Sequence, residues 1–356
     1  MSYSTGRRAY LDWVRGVAVL IMIEAHVLDS WTRSADRTRQ AFGHAMVLAG
    51  FGAPLFLFLA GVAAVLSAQS KFTRHGDYAA AWRAVERRGW QIFGLAFLFR
   101  LQSFVLGGFT NAAGILKVDI LNVMGPSIAL VAIVGRTTGK KAVLGVGFAA
   151  VALGMGFLTP VVRVTPLLEW LPDPLEWYFR PVPGRTNFTL FPWAGFVLAG
   201  AAVGLAVAAN RPYLQLKLAA AGATLALVAY QASFLPSIYE RSDFWTSSPA
   251  FFLLRVGVLT SLLPIGYAWE HAPWRHKLSS WSPLEELGRA SLFVYWIHVE
   301  MVYGFLSRPL RRALSLEAAL AAIVVFTLFL LALVRLKNRA TGEGIGIYLT
   351  DSKSVI

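Results

Sequence analysis

Long apolar runs recur along the chain and limit what it can fold into. A helix that crosses a bilayer needs about 20 consecutive, mostly apolar residues, and ten stretches of this chain approach that length. They lie at 10–29, 44–69, 90–107, 113–134, 142–160, 189–209, 216–235, 250–269, 290–306 and 316–334. The pattern predicts an all-α fold, a polytopic transmembrane helical bundle of about ten spans.

The composition agrees with this prediction. The 356 residues are 56% apolar and 15% charged, whereas soluble domains are about 45–50% apolar and about 25% charged. We therefore expect a multi-pass integral membrane protein of a bacterial inner (cell) membrane, with the lipid bilayer as its main surroundings. No shift in composition marks a second domain, so residues 1–356 are predicted to form a single integral-membrane domain.

The net charge of +14 does not indicate nucleic-acid binding, because the basic residues form short clusters between the apolar runs. Such a distribution is typical of the positive-inside rule. With the N-terminus in the cytoplasm, the inner segments hold more Lys and Arg than the outer loops, and an even number of spans places the C-terminus there too. The three arginines at 308–312 fall on the outer side and run against the rule.

Several kinds of site are absent from the sequence. The chain has no Cys, which excludes a disulfide, a thiolate metal site and a thioester intermediate on the protein. The His, Asp and Glu residues show no metal-ligand spacing, so no metal is predicted, and neither a Walker-type loop nor a Gly-x-Ser-x-Gly elbow occurs. Function is therefore expected from ionisable residues inside the apolar runs, which are costly in lipid and usually face a protein interior.

The first apolar run carries the most informative polar residues. Arg15 and His26 are eleven residues apart, which in an α-helix corresponds to about 16 Å along nearly the same face. Asp12 lies three residues before Arg15 on almost the same stripe. We predict that Asp12 and Arg15 hold the cytoplasmic end of this helix and that His26 lies at the outer end, where chemistry takes place.

His26 and His44 are the candidate catalytic residues. The unperturbed pKa of His, about 6.5, allows it to act as a general base near neutral pH. A short segment separates the two residues, so we expect both at the same outer mouth. The alternative is a structural histidine bonded to a carbonyl group or to interfacial water.

The ninth run contains a second polar stripe. Ser291, Tyr295 and His298 are spaced by four and three residues, so they lie on one helical face. We predict that this face forms hydrogen bonds inside the bundle, as part of a polar tunnel. A plain polar contact between two helices is the alternative.

A further polar group is expected between the third and fourth runs. Arg100 and Asp119 lie in adjacent predicted spans and could form a buried ion pair, which is better evidence for a cavity than for stability. Asn122 adds a polar side chain one turn after Asp119. We predict that these three residues shape the tunnel.

The longest outer loop, 161–188, alternates acidic and aromatic residues. It contains Glu169, Trp170, Asp173, Glu176, Trp177, Tyr178 and Arg185. Such a set suits a sugar, which presents hydroxyl groups at its edges and C–H groups on its faces. An interfacial aromatic belt with solvated charges is the alternative.

Five segments in order resemble the membrane acyltransferases, closest to the heparan-α-glucosaminide N-acetyltransferase catalytic-domain family and related to the acyltransferase-3 family. The first segment is the Asp-x-x-Arg-Gly sequence at 12–16 followed by His26. The others are Pro54-Leu55-Phe56-Leu57-Phe58-Leu59-Ala60-Gly61, Val118-Asp119-Ile120-Leu121-Asn122 with Gly125, Phe188-Thr189-Leu190-Phe191-Pro192-Trp193, and Leu287-Gly288-Arg289-Ala290-Ser291-Leu292-Phe293-Val294-Tyr295-Trp296-Ile297-His298.

This resemblance implies an acyltransferase that takes an acetyl (acyl) group from cytoplasmic acyl-CoA, such as acetyl-CoA. The acceptor would be an amine or hydroxyl of a sugar or glycan on the far side, and catalysis would fall to a histidine near the outer end of the first two helices. His26 fits by its spacing from Arg15. We expect Arg83, Arg87 and Arg88 to hold the CoA phosphates, because Arg binds phosphate in a bidentate, charge-assisted way.

Other functions are compatible with the same residues. Buried ionisable side chains would equally line the pathway of a transporter or channel for a polar solute, although no internal repeat of the kind common in transporters is seen. A scaffold for envelope assembly is a third alternative. The sequence leaves open the acceptor, N- or O-transfer, the acyl length, and whether the protein forms a homodimer.

Overall fold

The computed structural model describes residues 8–109, 112–273 and 281–341. Within them the chain is all-α, as predicted, and its only β pairing is two isolated bridges. The helices are α1 Ala9–Trp31, α2 Gln40–Ala49, α3 Gly52–His75, α4 Tyr78–Leu106, α5 Ile120–Gly135, α6 Lys141–Val164, α7 Asp173–Glu176, α8 Leu190–Ala209, α9 Leu214–Ala232, α10 Pro249–Glu270, α11 Pro283–Arg289, α12 Ser291–Tyr303 and α13 Leu316–Ala340.

Six helical stretches of the described chain are long and apolar enough to cross a membrane. They are Gln40–His75, Tyr78–Leu106, Lys141–Val164, Leu190–Ala209, Pro249–Glu270 and Leu316–Ala340. Among the other predicted spans, α1 is long enough but carries several charged residues, and α5 and α12 have only 16 and 13 residues. The count of ten spans and the cytoplasmic position of both termini stay predictions.

Two helices begin several residues away from the start of the matching apolar run, because side-chain caps set the first helical turn. The third run was expected to begin at residue 90, but α4 begins at Tyr78, where the Asp77 side chain accepts a hydrogen bond from the Ala80 amide at 2.8 Å. The fourth was expected to begin at 113, but α5 begins at Ile120. Asp119 caps that helix and therefore precedes it rather than lying inside a span.

The chain divides into two compact units. The first contains Ala53–Trp269 and the second contains Arg8–Gly52 together with the chain from Glu270 onward. Whether both units act as the single acyltransferase domain predicted for residues 1–356 stays a prediction.

Close helix crossings hold the first unit together. In the crossing of α3 with α8, a Cβ atom at Gly61 would overlap the Val197 carbonyl oxygen, and one at Gly200 would overlap that of Phe58. Only glycine permits two helix backbones to approach so closely. The large side chains Phe148 and Phe196 are fully buried in the same unit.

The second unit is built around α1. This helix contacts α2, α11, α12 and α13, and its buried side chains include Val14, Ala18, Ile23 and Val27. A helix covered on several sides can carry polar residues that lipid does not reach. The position of α1 therefore explains how the first run tolerates so many charged and titratable side chains.

Candidate active site

The structure pairs His26 of α1 with His298 of α12. The distance from His26 Nδ1 to His298 Nε2 is 2.8 Å, although 272 residues separate them in the chain. The ring centroids are 5.0 Å apart and the ring planes differ by 11°, so the two rings face each other through their nitrogen edges. His298 is fully buried and His26 is half-buried.

A backbone carbonyl determines which nitrogen carries the proton in this pair. His298 Nδ1 lies 2.8 Å from the Val294 carbonyl oxygen. Because a carbonyl oxygen can only accept, Nδ1 of His298 must donate, and in the neutral ring Nε2 is then an acceptor. His26 Nδ1 therefore donates to His298 Nε2, and the lone pair of neutral His26 is left on its Nε2 atom.

Two hydrogen bonds one turn beyond the histidines connect α1 to α12. The Val302 carbonyl oxygen accepts hydrogen bonds from Ser30 Oγ at 3.1 Å and from Trp31 Nε1 at 3.3 Å. Ser30 is four residues after His26, and Val302 is four residues after His298, so these hydrogen bonds lie on the same helical faces as the histidine pair, one turn further along. They keep the imidazole rings at hydrogen-bonding distance.

A row of three further polar residues, Tyr303, Asp29 and Arg37, begins at the His26 ring. The Tyr303 ring meets the His26 ring edge-on, with centroids 5.5 Å apart. Tyr303 Oη donates to Asp29 Oδ2 at 3.1 Å, and Arg37 Nη2 donates to Asp29 Oδ1 at 2.9 Å. Sequence reasoning missed all three. Asp29 had a signal, since it lies one helical turn after His26, whereas Tyr303 and Arg37 reach the site only through the fold.

The other end of α1 carries an ion-pair network. Asp12 Oδ1 lies 3.1 Å from Arg15 Nη1, and Asp12 Oδ2 lies 3.8 Å from Arg289 Nε. The crossing of α1 with α11 brings these groups together. A Cβ at Gly16 would overlap the Leu284 carbonyl oxygen, and a Cβ at Gly288 would overlap that of Asp12. Asp12 and Arg15 are thus paired, and their part in function stays a prediction.

The other candidate catalytic histidine, His44, lies apart from the histidine pair, whereas the polar stripe of α12 includes His298. His44 is exposed on α2 and is not part of the histidine pair. Tyr295 is buried with its ring 5.9 Å from that of His298, while Ser291 is half-buried one turn earlier. The predicted stripe therefore brings Tyr295 next to His298. Its role in a tunnel and the catalytic role of His44 stay predictions.

The predicted polar groups of the first unit lie on α4 and at the start of α5. Arg100 and Asp119 form the expected ion pair, largely covered by protein. Asn122 is fully buried; its side chain accepts from the Asp119 amide at 3.0 Å and donates to Tyr178 Oη at 3.4 Å. A cluster of three arginines, Arg83, Arg87 and Arg88, is exposed on α4. Their assignment to a tunnel or to CoA stays a prediction.

The loop 161–188 uses several of its polar and aromatic side chains internally. Arg180 pairs with Glu176 at 3.2 Å and with Glu169 at 3.9 Å. Trp177 is buried, with the Arg185 guanidinium 5.3 Å from its ring centre. Sugar binding by this loop stays a prediction.

A comparison with protein families decides the relationship of the chain. The family model described as "Heparan-alpha-glucosaminide N-acetyltransferase, catalytic" matches residues 7–235. The chain belongs to this family. Acetyl transfer is the activity that membership implies, and the six apolar helical stretches are those of an integral membrane protein. No curated protein matches the chain significantly.

The family match and the geometry contribute different parts of the site. The matched region includes His26 but ends before α10, so His298 and the rest of α12 lie beyond it. The partner of His26 is therefore identified by the fold alone. A neutral imidazole with a defined lone pair is chemically able to accept a proton or an acyl group, and a catalytic role for His26 stays a prediction.

Proposed function

We propose that the protein transfers an acetyl group from cytoplasmic acetyl-CoA to an amine or hydroxyl of a sugar on the extracytoplasmic side of a bacterial inner membrane. The observation that carries this proposal is the chain of hydrogen bonds from His26 through His298 to the Val294 carbonyl. It leaves His26 Nε2 as a base or nucleophile. Family membership supplies the reaction class.

In the general-base route, His26 Nε2 removes the proton from the acceptor as its nitrogen or oxygen attacks the thioester carbonyl. The new bond to the acceptor forms, the carbon–sulfur bond breaks, and His26 passes the proton to the CoA thiolate. The positive charge that His26 carries in between is stabilised by His298 Nε2, which accepts from the opposite nitrogen. General-base catalysis of this kind contributes about 10²–10⁴-fold.

In the covalent route, His26 Nε2 attacks the thioester carbonyl itself. The carbon–sulfur bond breaks, the acetyl group is carried on His26, and the acceptor then displaces the imidazole while its proton neutralises the CoA thiolate. The same lone pair serves both routes, so the histidine pair supports either.

The donor is assigned to the cytoplasmic side in the predicted orientation. Arg83 and Arg87 are four residues apart on α4, with Arg88 adjacent, and all three are exposed. Three guanidinium groups on one stretch of helix suit the phosphates of CoA. We further assign Arg100, Asp119 and Asn122 to a polar pathway for the acetyl group.

A direct test uses purified protein, radiolabelled acetyl-CoA and an amino sugar such as glucosamine. We expect labelled acetyl-sugar and free CoA thiol from the parent, and a loss of about 10²–10⁴-fold in His26→Ala. His44→Ala, tested in parallel, decides whether the exposed histidine takes part. Label retained on the protein without an acceptor would select the covalent route.

Two outcomes would contradict the proposal. If His26→Ala and the parent transfer acetyl equally well, the histidine assignment is wrong. If the parent releases no thiol from acetyl-CoA with any acceptor, and vesicles that contain the protein take up the amino sugar, the protein is a transporter. Circular dichroism and the melting temperature of each variant show whether it is folded.

A further inference from the structure

An arginine cluster lies at the same end of the second unit as the histidine pair. Arg308, Arg311 and Arg312, which we call the arginine lip, are exposed in the segment between α12 and α13. In the described parts of the chain, no carboxylate lies within ion-pair distance of these three guanidinium groups. In the predicted orientation the lip is extracytoplasmic, where the positive-inside rule disfavours basic residues.

Apolar side chains stand beside the arginine lip. Phe305 is 68% exposed and Leu306 is 76% exposed, in the 3₁₀ turn Phe305–Leu310. The Arg308 guanidinium lies 4.6 Å from the centre of the Phe305 ring. Exposed Phe and Leu next to cationic groups suit a ligand that combines a hydrocarbon chain with an anionic group. A free sugar would not require them.

Backbone contacts connect the arginine lip to the histidine pair. Arg311 Nη2 donates to the carbonyl oxygens of Tyr303 and Gly304. The Tyr303 ring in turn lies against His26. The Arg312 amide donates to the carbonyl oxygen of Ser30 at 3.0 Å, and Ser30 lies one helical turn after His26. A group bound at the lip is thus separated from His26 by little more than one tyrosine residue.

We propose that the arginine lip binds the phosphate of a lipid-linked saccharide, so that the acceptor is a sugar attached through phosphate to a hydrocarbon chain. The proposal rests on the proposed function and names its substrate class. Arginine binds phosphate through bidentate, charge-assisted hydrogen bonds. Phe305 and Leu306 contact the hydrocarbon chain, and the sugar extends past Tyr303 to His26.

The experiment compares two acceptors that carry the same sugar, decaprenyl-phosphate-linked glucosamine and free glucosamine. The protein is placed in phosphatidylcholine nanodiscs with labelled acetyl-CoA. We expect the lipid-linked acceptor to show the higher kcat/KM, and the triple variant R308Q/R311Q/R312Q to lower it by at least about tenfold through KM. Transfer to free glucosamine stays within about twofold.

Two sets of variants control for charge and folding. K140Q/K141Q/R211Q removes three exposed basic residues of the first unit and should leave both acceptors unaffected. Arg308→Gln and Arg312→Gln alone spare the Arg311 side chain, which bonds to the backbone, so they test the lip even if the triple variant does not fold. Native mass spectrometry with decaprenyl phosphate measures binding without catalysis.

Each outcome is decisive. Equal kcat/KM for both acceptors in the parent would overturn the proposed phosphate binding by the arginine lip while leaving acetyl transfer intact. An equal loss of kcat/KM on both acceptors in the triple variant would do the same. Phosphatidylglycerol that displaces decaprenyl phosphate at equal concentration would also overturn it and make the lip a membrane anchor. Absence of transfer to either acceptor, with no thiol release, would instead reject the proposed function.

Discussion

The two ends of α1 place polar groups inside one helical unit in different ways. At the Asp12 end, a carboxylate faces Arg15 and Arg289, and the α11 backbone crosses α1 at Gly16 with no room for a Cβ atom. At the other end, about 21 Å along the helix, the His26 imidazole donates a hydrogen bond to the His298 imidazole, and the Val294 carbonyl behind His298 fixes that direction.

A polar residue in an apolar run is therefore not by itself evidence of chemistry. Around Asp12 each charge has an opposite charge beside it, so moving a proton there would leave an uncompensated ion. Around His26 both rings can be neutral, and the carbonyl behind His298 decides which nitrogen keeps a lone pair. The first end joins helices, and the second has the chemistry that the proposed acetyl transfer requires.

The largest expected effect comes from removing the partner of His26. In His298→Ala the Nδ1–H group of His26 loses its acceptor, and the proton is free to move to Nε2, the nitrogen that must stay unprotonated. We expect kcat/KM for acetyl transfer to fall by about 10²–10⁴-fold. Measured across pH about 6 to 9, the acid limb of the profile should shift as well.

Two variants separate this positioning role from a purely structural one. His298→Gln keeps an oxygen that can accept from His26 Nδ1, so it should recover part of the activity and of the pH profile. His75→Ala removes an exposed histidine at the end of α3 and should match the parent. Equal activity in His298→Ala and the parent would show that the pair is only structural.

At the opposite end, the backbone crossing should govern stability rather than chemistry. Gly16→Ala or Gly288→Ala forces α1 and α11 apart, at a cost of about 1–3 kcal/mol or more in the free energy of unfolding. Gly43→Ala is the matched control, because nothing lies within 4 Å of a Cβ there; in its helix the change should stabilise by about 0.5–1 kcal/mol. Denaturation in detergent measures all three.

If Gly16→Ala and Gly43→Ala change the melting temperature alike, the crossing is looser than the structure indicates. If Gly16→Ala instead keeps its stability and loses acetyl transfer selectively, the Asp12 end takes part in chemistry.

Charge removal should have unequal effects at the two ends. Asp12 has a 5% exposed side chain beside Arg15 and Arg289, so Asp12→Asn leaves two cations partly uncompensated. We expect a loss of about 1–3 kcal/mol. Asp29 is 48% exposed and pairs with Arg37, and Asp29→Asn should cost less than about 1 kcal/mol. Equal losses of unfolding free energy in urea would contradict the inference that the carboxylate at the Asp12 end depends more on its ion pairs than the one at the His26 end.

The all-α class could be predicted because it depends on local pattern, and the same pattern places His26 in a helix, while its catalytic role stays a prediction. Apolar runs identify helices, and the helical period puts Arg15 and His26 on one face. The period also places Tyr295 and His298 on a common face of α12, as observed. Adjacent runs in the sequence were enough to predict the Arg100–Asp119 pair.

The partner of His26 could not be predicted, because helical periodicity shows which residues share a face but not which other helix packs against that face. Sequence proximity favoured His44, while the fold brings in His298 from a segment 272 residues away. The helix starts differ from the starts of the apolar runs for a different reason. Asp77 and Asp119 cap helices at positions that hydropathy does not distinguish from loop or span.

The smallest effect concerns pH at the His26 end, where Asp36 joins the segment after α1 to the start of α13. The Asp36 carboxylate accepts from Arg33 Nε at 2.9 Å and from the Leu316 amide at 3.0 Å. The hydrogen bond from Arg33 lowers the pKa of Asp36 below its usual 3.8, with the Leu316 amide and the charge of Arg39 adding to it. A lowered folded-state pKa means that this carboxylate stabilises the fold when it is ionised.

The contribution of Asp36 is therefore complete above about pH 4 and is lost as the pH falls through the lowered folded-state pKa. Asp36→Asn should be less stable than the parent near neutral pH, and the difference should shrink as the parent's carboxyl group becomes protonated. Melting temperatures in detergent, taken from neutral pH down to about pH 3, measure that convergence. An offset that stays constant over the whole range would mean that the amide loses packing rather than charge, and that the clamp between α1 and α13 does not depend on ionisation.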